Sequence, residues 1–303
     1  MCIRDRSAHA LPSRRGSGAA RHIRLALMLP GLLGLGVTFL LPLAWLFRMS
    51  LSDAQLGQPD TGRLTLQYYA SALADPFYWK VALNTFAMSA LVAVLAVLLS
   101  FPIALFLARS QSRWRGVLVA LAIAPLLTST VVRTYGWMVI LGDQGLVNGS
   151  LRWLGWIDAP LPISNNFFAA VIALTELLMP YAILAMLSGF GRLHADYESA
   201  AALLGANRWK VLWRIVLPLS VPGIATGALL VFVLSLSAFV TPRLVGGGRV
   251  FLLATEIYSE ATVTLNWPLA AALSAILLVL FGGVIVIYQR VLSAADRRYG
   301  ESA

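Results

Sequence analysis

The sequence predicts an all-α membrane protein with six membrane-spanning helices and a polar helix set between the fourth and the fifth. Three observations predict it. Of the 303 residues, 59% are hydrophobic and 12% charged, whereas soluble domains carry about 25% charged residues. With a mean hydropathy of +0.79, no soluble core could absorb so much apolar surface, and lipid is the main solvent. Apolar stretches near the ~20 residues that a spanning helix needs recur six times along the chain. Lys and Arg, finally, are unequally divided between alternate connections.

The spans follow in order. Residues 1–22 are rich in Arg, Ser and Gly without periodicity and predict a disordered N-terminal segment. Its start, Met1-Cys2-Ile3-Arg4-Asp5-Arg6, follows no structural pattern and reads as a gene-assignment artefact. It is not a signal peptide, because the apolar stretch behind it is long and ends without a small-residue cleavage pattern. A single transmembrane domain then covers residues 23–290, and residues 291–303 form a tail. Its expected spans are Leu25–Phe47, Val81–Leu107, Val117–Leu141, Phe167–Gly189, Leu217–Leu236 and Leu269–Tyr288. Pro30, Pro42, Pro102, Pro125, Pro180 and Pro222 fall in or near them, which membrane helices tolerate because neighbours satisfy the freed carbonyls. Ordinary kinks and gating roles explain these prolines equally well.

Orientation follows from the loop cations. One side holds those at 4–24, 109–115, 192–214 and 290–298. The other holds Arg48, Arg63, Lys80, Arg152, Arg243 and Arg249, a division of sixteen to six. Both termini and the polar helix are therefore expected in the cytoplasm. The net charge of +10 needs no nucleic acid to explain it. Trp79, Trp137, Trp153, Trp156 and Trp267 are expected as anchors at the outer interface. The single cysteine, Cys2, excludes an internal disulfide or a Cys-cluster metal site. There is no phosphate-cradling G-x-x-x-x-G-K-[ST] run, and Gly246-Gly247-Gly248 reads as a turn.

Two charges fall inside spans. Arg133 and Glu176 are both expected about 13 Å below the outer face, at 1.5 Å rise per residue. Burying either unpaired costs about 2.5–3.5 kcal/mol on insertion scales, so each needs a partner or water. Either they pair and lock two spans together, or Glu176 faces a pathway and attracts a cation. Thr175, Ser188, Ser235, Ser237 and Thr241 are polar groups that could line such a pathway or bond between helices.

The polar segment from Asp196 to Leu204 is a good helix former. Asp196 and Glu198 favour its N-terminal dipole, and Gly205 is placed to end it in a left-handed conformation. The small residues Ala200, Ala201 and Ala202 would let a partner backbone approach. A basic and aromatic stretch, Arg208–Val216, follows, and Pro218 opens the next span.

This segment resembles the EAA loop of permease subunits in binding-protein-dependent ABC importers, whose pattern is E-A-A, three residues, G, nine residues, I-x-L-P. Ala200, Ala201, Gly205, Ile215, Leu217 and Pro218 match with the spacing kept, while Ser199 stands at the glutamate position and Glu198 one residue earlier. That displaces the carboxylate by about 100° around the helix. The runs Val132–Trp137, Gly145–Asn148, Ser237–Gly247 and Asn266–Leu273 are similar to spermidine/putrescine-type permeases. The resemblance implies a transport subunit, not an enzyme, with no cofactor of its own. Its implied partners are an ABC ATPase dimer that binds ATP and Mg, a second permease subunit of a different chain, and a periplasmic or lipid-anchored solute-binding protein. It implies ATPase docking through Glu198, Ser199, Ala200, Ala201, Gly205, Ile215, Leu217 and Pro218. A substrate pathway past Arg133, Tyr135, Trp137, Glu176 and Thr241 is the matching expectation, with a polyamine as cargo. An aminophosphonate or opine is the alternative cargo. A membrane-embedded enzyme or assembly factor is the alternative class, and it would require a polar cluster at one depth.

Overall fold

A computed structural model describes residues 17–54, 62–110, 112–190, 197, 200–201 and 203–300. Described regular structure is helical apart from one isolated bridge, Ser52 to Leu64. Among the described residues, five helices are long and apolar enough to cross a membrane, or six if one sharply bent pair counts as a single span.

The chain divides into two units, residues 1–49 and 50–303. The first is helix α1, Ser17–Ser50, with Pro30 and Pro42 inside it. Its helical residues reach back to Ser17, into the segment whose composition predicts disorder.

The second unit begins with α2, Gln67–Ala74. Asp75 then caps α3, Pro76–Arg109, its side chain accepting from Phe77 N at 2.8 Å. Pro76 sits where a missing N–H costs nothing. Next come α4, Arg115–Ile123, the 3₁₀ turn Ala124–Leu127, and α5, Thr130–Leu141. The connection after α5 contributes α6, Leu146–Trp153. Asn166 caps α7, Phe167–Gly189, at Ala169 N. After the polar segment, α8, Arg208–Val211, passes through a π-helical turn, Leu212–Val216, into α9, Leu217–Leu236. Two short helices follow, α10, Val240–Val245, and α11, Leu253–Thr262; the last helix is α12, Trp267–Gly300.

Helices α3, α7 and α9 pack against one another. Their seam is built from small or slender side chains, with Val92, Ala96, Ala104, Ala170, Ala182, Met186 and Val231 all buried. Small residues let helices approach in lipid, where packing and polar contacts replace the hydrophobic drive. The approach is closest between Gly189 and Gly223. A Cβ built on Gly189 would lie 2.4 Å from the Gly223 Cα.

Three elements depart from the sequence expectation. The third span, expected as one helix over Val117–Leu141, is broken, and its two arms meet at 91°. Pro125 has no N–H, the chain tightens into the 3₁₀ turn, and Thr128 turns extended at φ −96°, ψ 147°. Pro218 stands in the first turn of α9, as expected, but that helix does not start afresh, because the helical run is continuous from Arg208. There the Leu217 N–H reaches five residues back to the Leu212 carbonyl, a single wide turn inside the run. The last helix continues past Tyr288 as far as Gly300.

Candidate functional site

The two charged residues expected inside spans meet. Arg133 on α5 places Nη2 2.6 Å from Glu176 Oε1 on α7. Trp137, one turn along α5, donates its indole N–H to the other carboxylate oxygen at 3.1 Å. Trp137 is therefore not only an interface anchor, because its polar edge turns inward. Trp79, Trp153, Trp156 and Trp267 remain exposed, as anchors require. The Arg133 side chain is 14% exposed and that of Glu176 39%. The carboxylate thus keeps an open flank although its charge is matched.

Arg133 also makes two bonds to carbonyls. Nη1 donates to Pro125 O at 3.2 Å, and Nη2 to the main-chain oxygen of Glu176 at 3.3 Å. The second has a clear cause. Four residues beyond Glu176 stands Pro180, which has no N–H for that carbonyl.

Beside this cluster, the buried hydroxyls of Thr134 on α5 and Thr241 on α10 lie 2.9 Å apart. Thr134 donates to Thr130 O at 2.8 Å. Its one proton is then spent, so Thr241 is the donor between the two. Tyr135, on the next position of α5, is exposed. Thr175 and Ser188 bond to carbonyls of their own helix, and Ser237 does the same. None of these three bonds joins two helices, so the expected bonding between helices is not made by them. The hydroxyl of Ser235 is buried without a partner.

A second polar group escaped the sequence reading. In α11, Glu256 and Glu260 lie four apart on one helix face, and Arg243 of α10 lies over the Tyr258 ring at 4.6 Å. Phe239 stacks on the same ring, with centroids 5.2 Å apart at 20°. Burial pushes the Glu256 carboxyl above its ordinary value; the Glu260 charge adds to the rise and Arg243 opposes it. The signal was the E-x-x-x-E spacing around a tyrosine, in the connection between the expected spans Leu217–Leu236 and Leu269–Tyr288.

In the polar segment, Tyr197, Ala200, Ala201 and Leu203 are helical. Glu198 and Ser199, two of the expected docking residues, lie outside the described residues, as do Asp196 and Ala202. Gly205 has φ +77°, and Ala206 N bonds to Ala201 O at 3.0 Å. This is the left-handed helix end that its glycine predicts. Ala201 is buried with Val211 and Val216, against Leu105 of α3 and Ile215. Ala200, Gly205 and Pro218 are exposed and Leu217 is half-buried. Only part of the alanine run thus remains open to a partner, because Ala201 faces its own chain. Among the described residues, no group of three or more His, Cys, Asp or Glu could hold a metal ion.

The family model described as "Binding-protein-dependent transport system inner membrane component" matches residues 100–299. The chain belongs to that family. It is an ABC-importer permease subunit, an all-α, multi-pass protein of the inner membrane. The permease is 34% identical over 235 residues to the spermidine/putrescine transport system permease protein PotB of Haemophilus influenzae, covering 78% of this chain and 82% of that one. The Escherichia coli PotB is 33% identical over 226 residues, covering 75% and 82%. A molybdenum transport system permease protein, ModB of Mycobacterium bovis, is 34% identical over 64% of this chain and 72% of its own. Among solved structures, a bacterial ABC transporter for the import of the acidic polysaccharide alginate matches with a TM-score of 0.70. It covers 90% of this chain and 97% of that one at 18% identity, a likeness of fold.

Proposed function

We propose that this permease carries a small organic cation of the polyamine class, spermidine or putrescine, inward across the membrane. The observation that carries this reading is the likeness to permeases named for spermidine and putrescine, over three quarters of the chain. The chain's own chemistry agrees with it. The arginine in the broken span is already matched by Glu176 and offers little to an anion, while the carboxylate keeps an open flank. Glu256 and Glu260, four apart on α11, add carboxylate surface of the kind an alkylammonium needs. An anion carrier, as the ModB name would suggest, needs unpaired cations where this chain has carboxylates.

Residues 23–290 form the transmembrane domain, with the bent pair α4–α5 as one of six spans. Both termini and the segment at Glu198 lie in the cytoplasm, as the cation asymmetry favours. An ATPase dimer grips that segment from Glu198 to Pro218, a second permease chain completes the pathway, and a secreted binding protein delivers the substrate. ATP has different affinity for two states of the ATPases, and the gripped helix passes that difference to the spans. Ala201, packed on Leu105 and Val216, is the point at which it reaches α3 and α9.

The test is ATP-dependent uptake of labelled spermidine and putrescine into liposomes holding the whole complex, with ligand binding by the cognate binding protein measured beside it. Uptake and binding of either amine are expected. Binding of an oxyanion and no uptake of any polyamine would reject the cargo. Glu198→Ala is expected to weaken co-purification of the ATPase, and unchanged assembly and uptake would remove that residue from the docking set.

A further inference from the structure

Two defects in neighbouring spans converge on one side chain. The third span stops being α-helical at Pro125, and its arms meet at 91°. In α7, Pro180 strips the Glu176 carbonyl of its helical donor. The Glu176 carbonyl, freed in this way in lipid, must find a donor elsewhere. Arg133 supplies it at 3.3 Å, while its charge meets Glu176 Oε1 at 2.6 Å. Across the break it also donates to Pro125 O at 3.2 Å, in addition to the bonds that carbonyl accepts from Thr128 N at 3.2 Å and Thr128 Oγ1 at 2.7 Å. A flat guanidinium spreads its five donors in a fixed fork, so Nη1 and Nη2 reach three separate acceptors at once; an ammonium offers three donors from a single point and an amide only two. Trp137 fixes the carboxylate from its other side. A simple ion pair would use neither carbonyl.

We propose that Arg133 is a latch between two hinges, the break of the third span and the proline defect of α7. While it is closed, α5 moves with α7. When it opens, α5 is freed to change its angle to α4 at Thr128–Ser129, where the backbone is already extended. Arg133 is thus a positioning residue for the conformational cycle. The idea rests on the transport reading for its uptake measurement only.

The experiment uses the assembled complex with Cys2→Ser, which removes the chain's single native thiol. Spin labels go on Leu127 and Val139, 88% and 72% exposed, on either side of the break. Distance distributions are recorded without nucleotide and with ATP trapped. Arg133→Gln is expected to broaden the nucleotide-free distribution and to cut uptake about tenfold, in the range of allosteric coupling, with ATP hydrolysis retained. The charge swap Arg133→Glu/Glu176→Arg restores an ion pair but leaves position 133 with no donor for either carbonyl, so it is expected to stay broad and slow. If Arg133→Gln does not assemble, Arg133→Lys takes its place, keeping the charge and losing the fork, with an intermediate width expected. A native distribution in Arg133→Gln or Arg133→Lys, or native uptake in the swap, overturns the latch. The label distances do not depend on the cargo. The polyamine assignment can therefore fail while the distances still respond to Arg133, and the reverse.

Discussion

Where α7 crosses α9, backbone meets backbone at Gly189 and Gly223. Where α7 meets α5, a guanidinium lies on a carboxylate and two carbonyls. The first contact is apolar, tight and without directional bonds. The second is polar, with each bond replaceable by another acceptor or by water. Close packing is sensitive to volume and has few alternatives, whereas a polar cluster can exchange partners at smaller cost. In one unit, then, α3, α7 and α9 form the part suited to transmit force, and α4–α5 the part suited to change shape.

The largest effect should come from the packed side of this contrast. Gly189→Ala places a Cβ 2.4 Å from a backbone atom that no rotamer can move aside, and overpacking of that kind costs about 1–3 kcal/mol, occasionally more. Gly227→Ala meets its neighbours at an ordinary 3.4 Å, and Gly282→Ala meets nothing within 4 Å. Thermal stability of the detergent-solubilised complex should fall sharply for the first and hardly for the other two. Equal losses at all three positions would mean that the crossing is not the tight point.

The polar side should show a smaller, directional effect. Thr134→Val leaves the buried Thr241 hydroxyl with no acceptor, a loss of about 1–3 kcal/mol. Thr241→Val leaves Thr134 still bonded to Thr130 O, so its loss should be lower, about 1 kcal/mol or less. Unfolding of the two variants side by side reads this asymmetry, and the reverse order would mean that the proton runs the other way.

This contrast was only half legible in the sequence. The fourth and fifth spans, Phe167–Gly189 and Leu217–Leu236, stand where hydropathy puts them, because a continuous helix is what twenty apolar residues in lipid must form. Gly205 was legible for a local reason, since a left-handed helix end favours glycine. The break in the third span was not, because hydropathy averages across Pro125 and the run Thr128-Ser129-Thr130 without registering a lost N–H. Depth along two spans placed Arg133 and Glu176 level, but which faces they turn is set by tertiary packing. The bond from Arg133 to the Glu176 carbonyl is explained by Pro180, yet no spacing rule joins residues on different helices. Glu256 and Glu260 were hidden differently: a composition rule for loops has no place for a ten-residue helix inside one.

That last pair gives the smallest expected effect, and it extends the contrast to a polar group outside the spans. Burial and the Glu260 charge hold the folded-state Glu256 carboxyl above its ordinary value of 4.5. The folded protein therefore binds this proton more tightly than the unfolded chain does. The stability so gained is fully present below the ordinary value and is lost as pH rises through the raised one. Glu256→Gln keeps a neutral group at every pH and removes that loss. Relative to the native permease, the variant should gain nothing in melting temperature near about pH 4 and gain progressively toward about pH 7. A melting difference that shrinks over the same range would show that Arg243, and not burial with Glu260, governs this carboxylate.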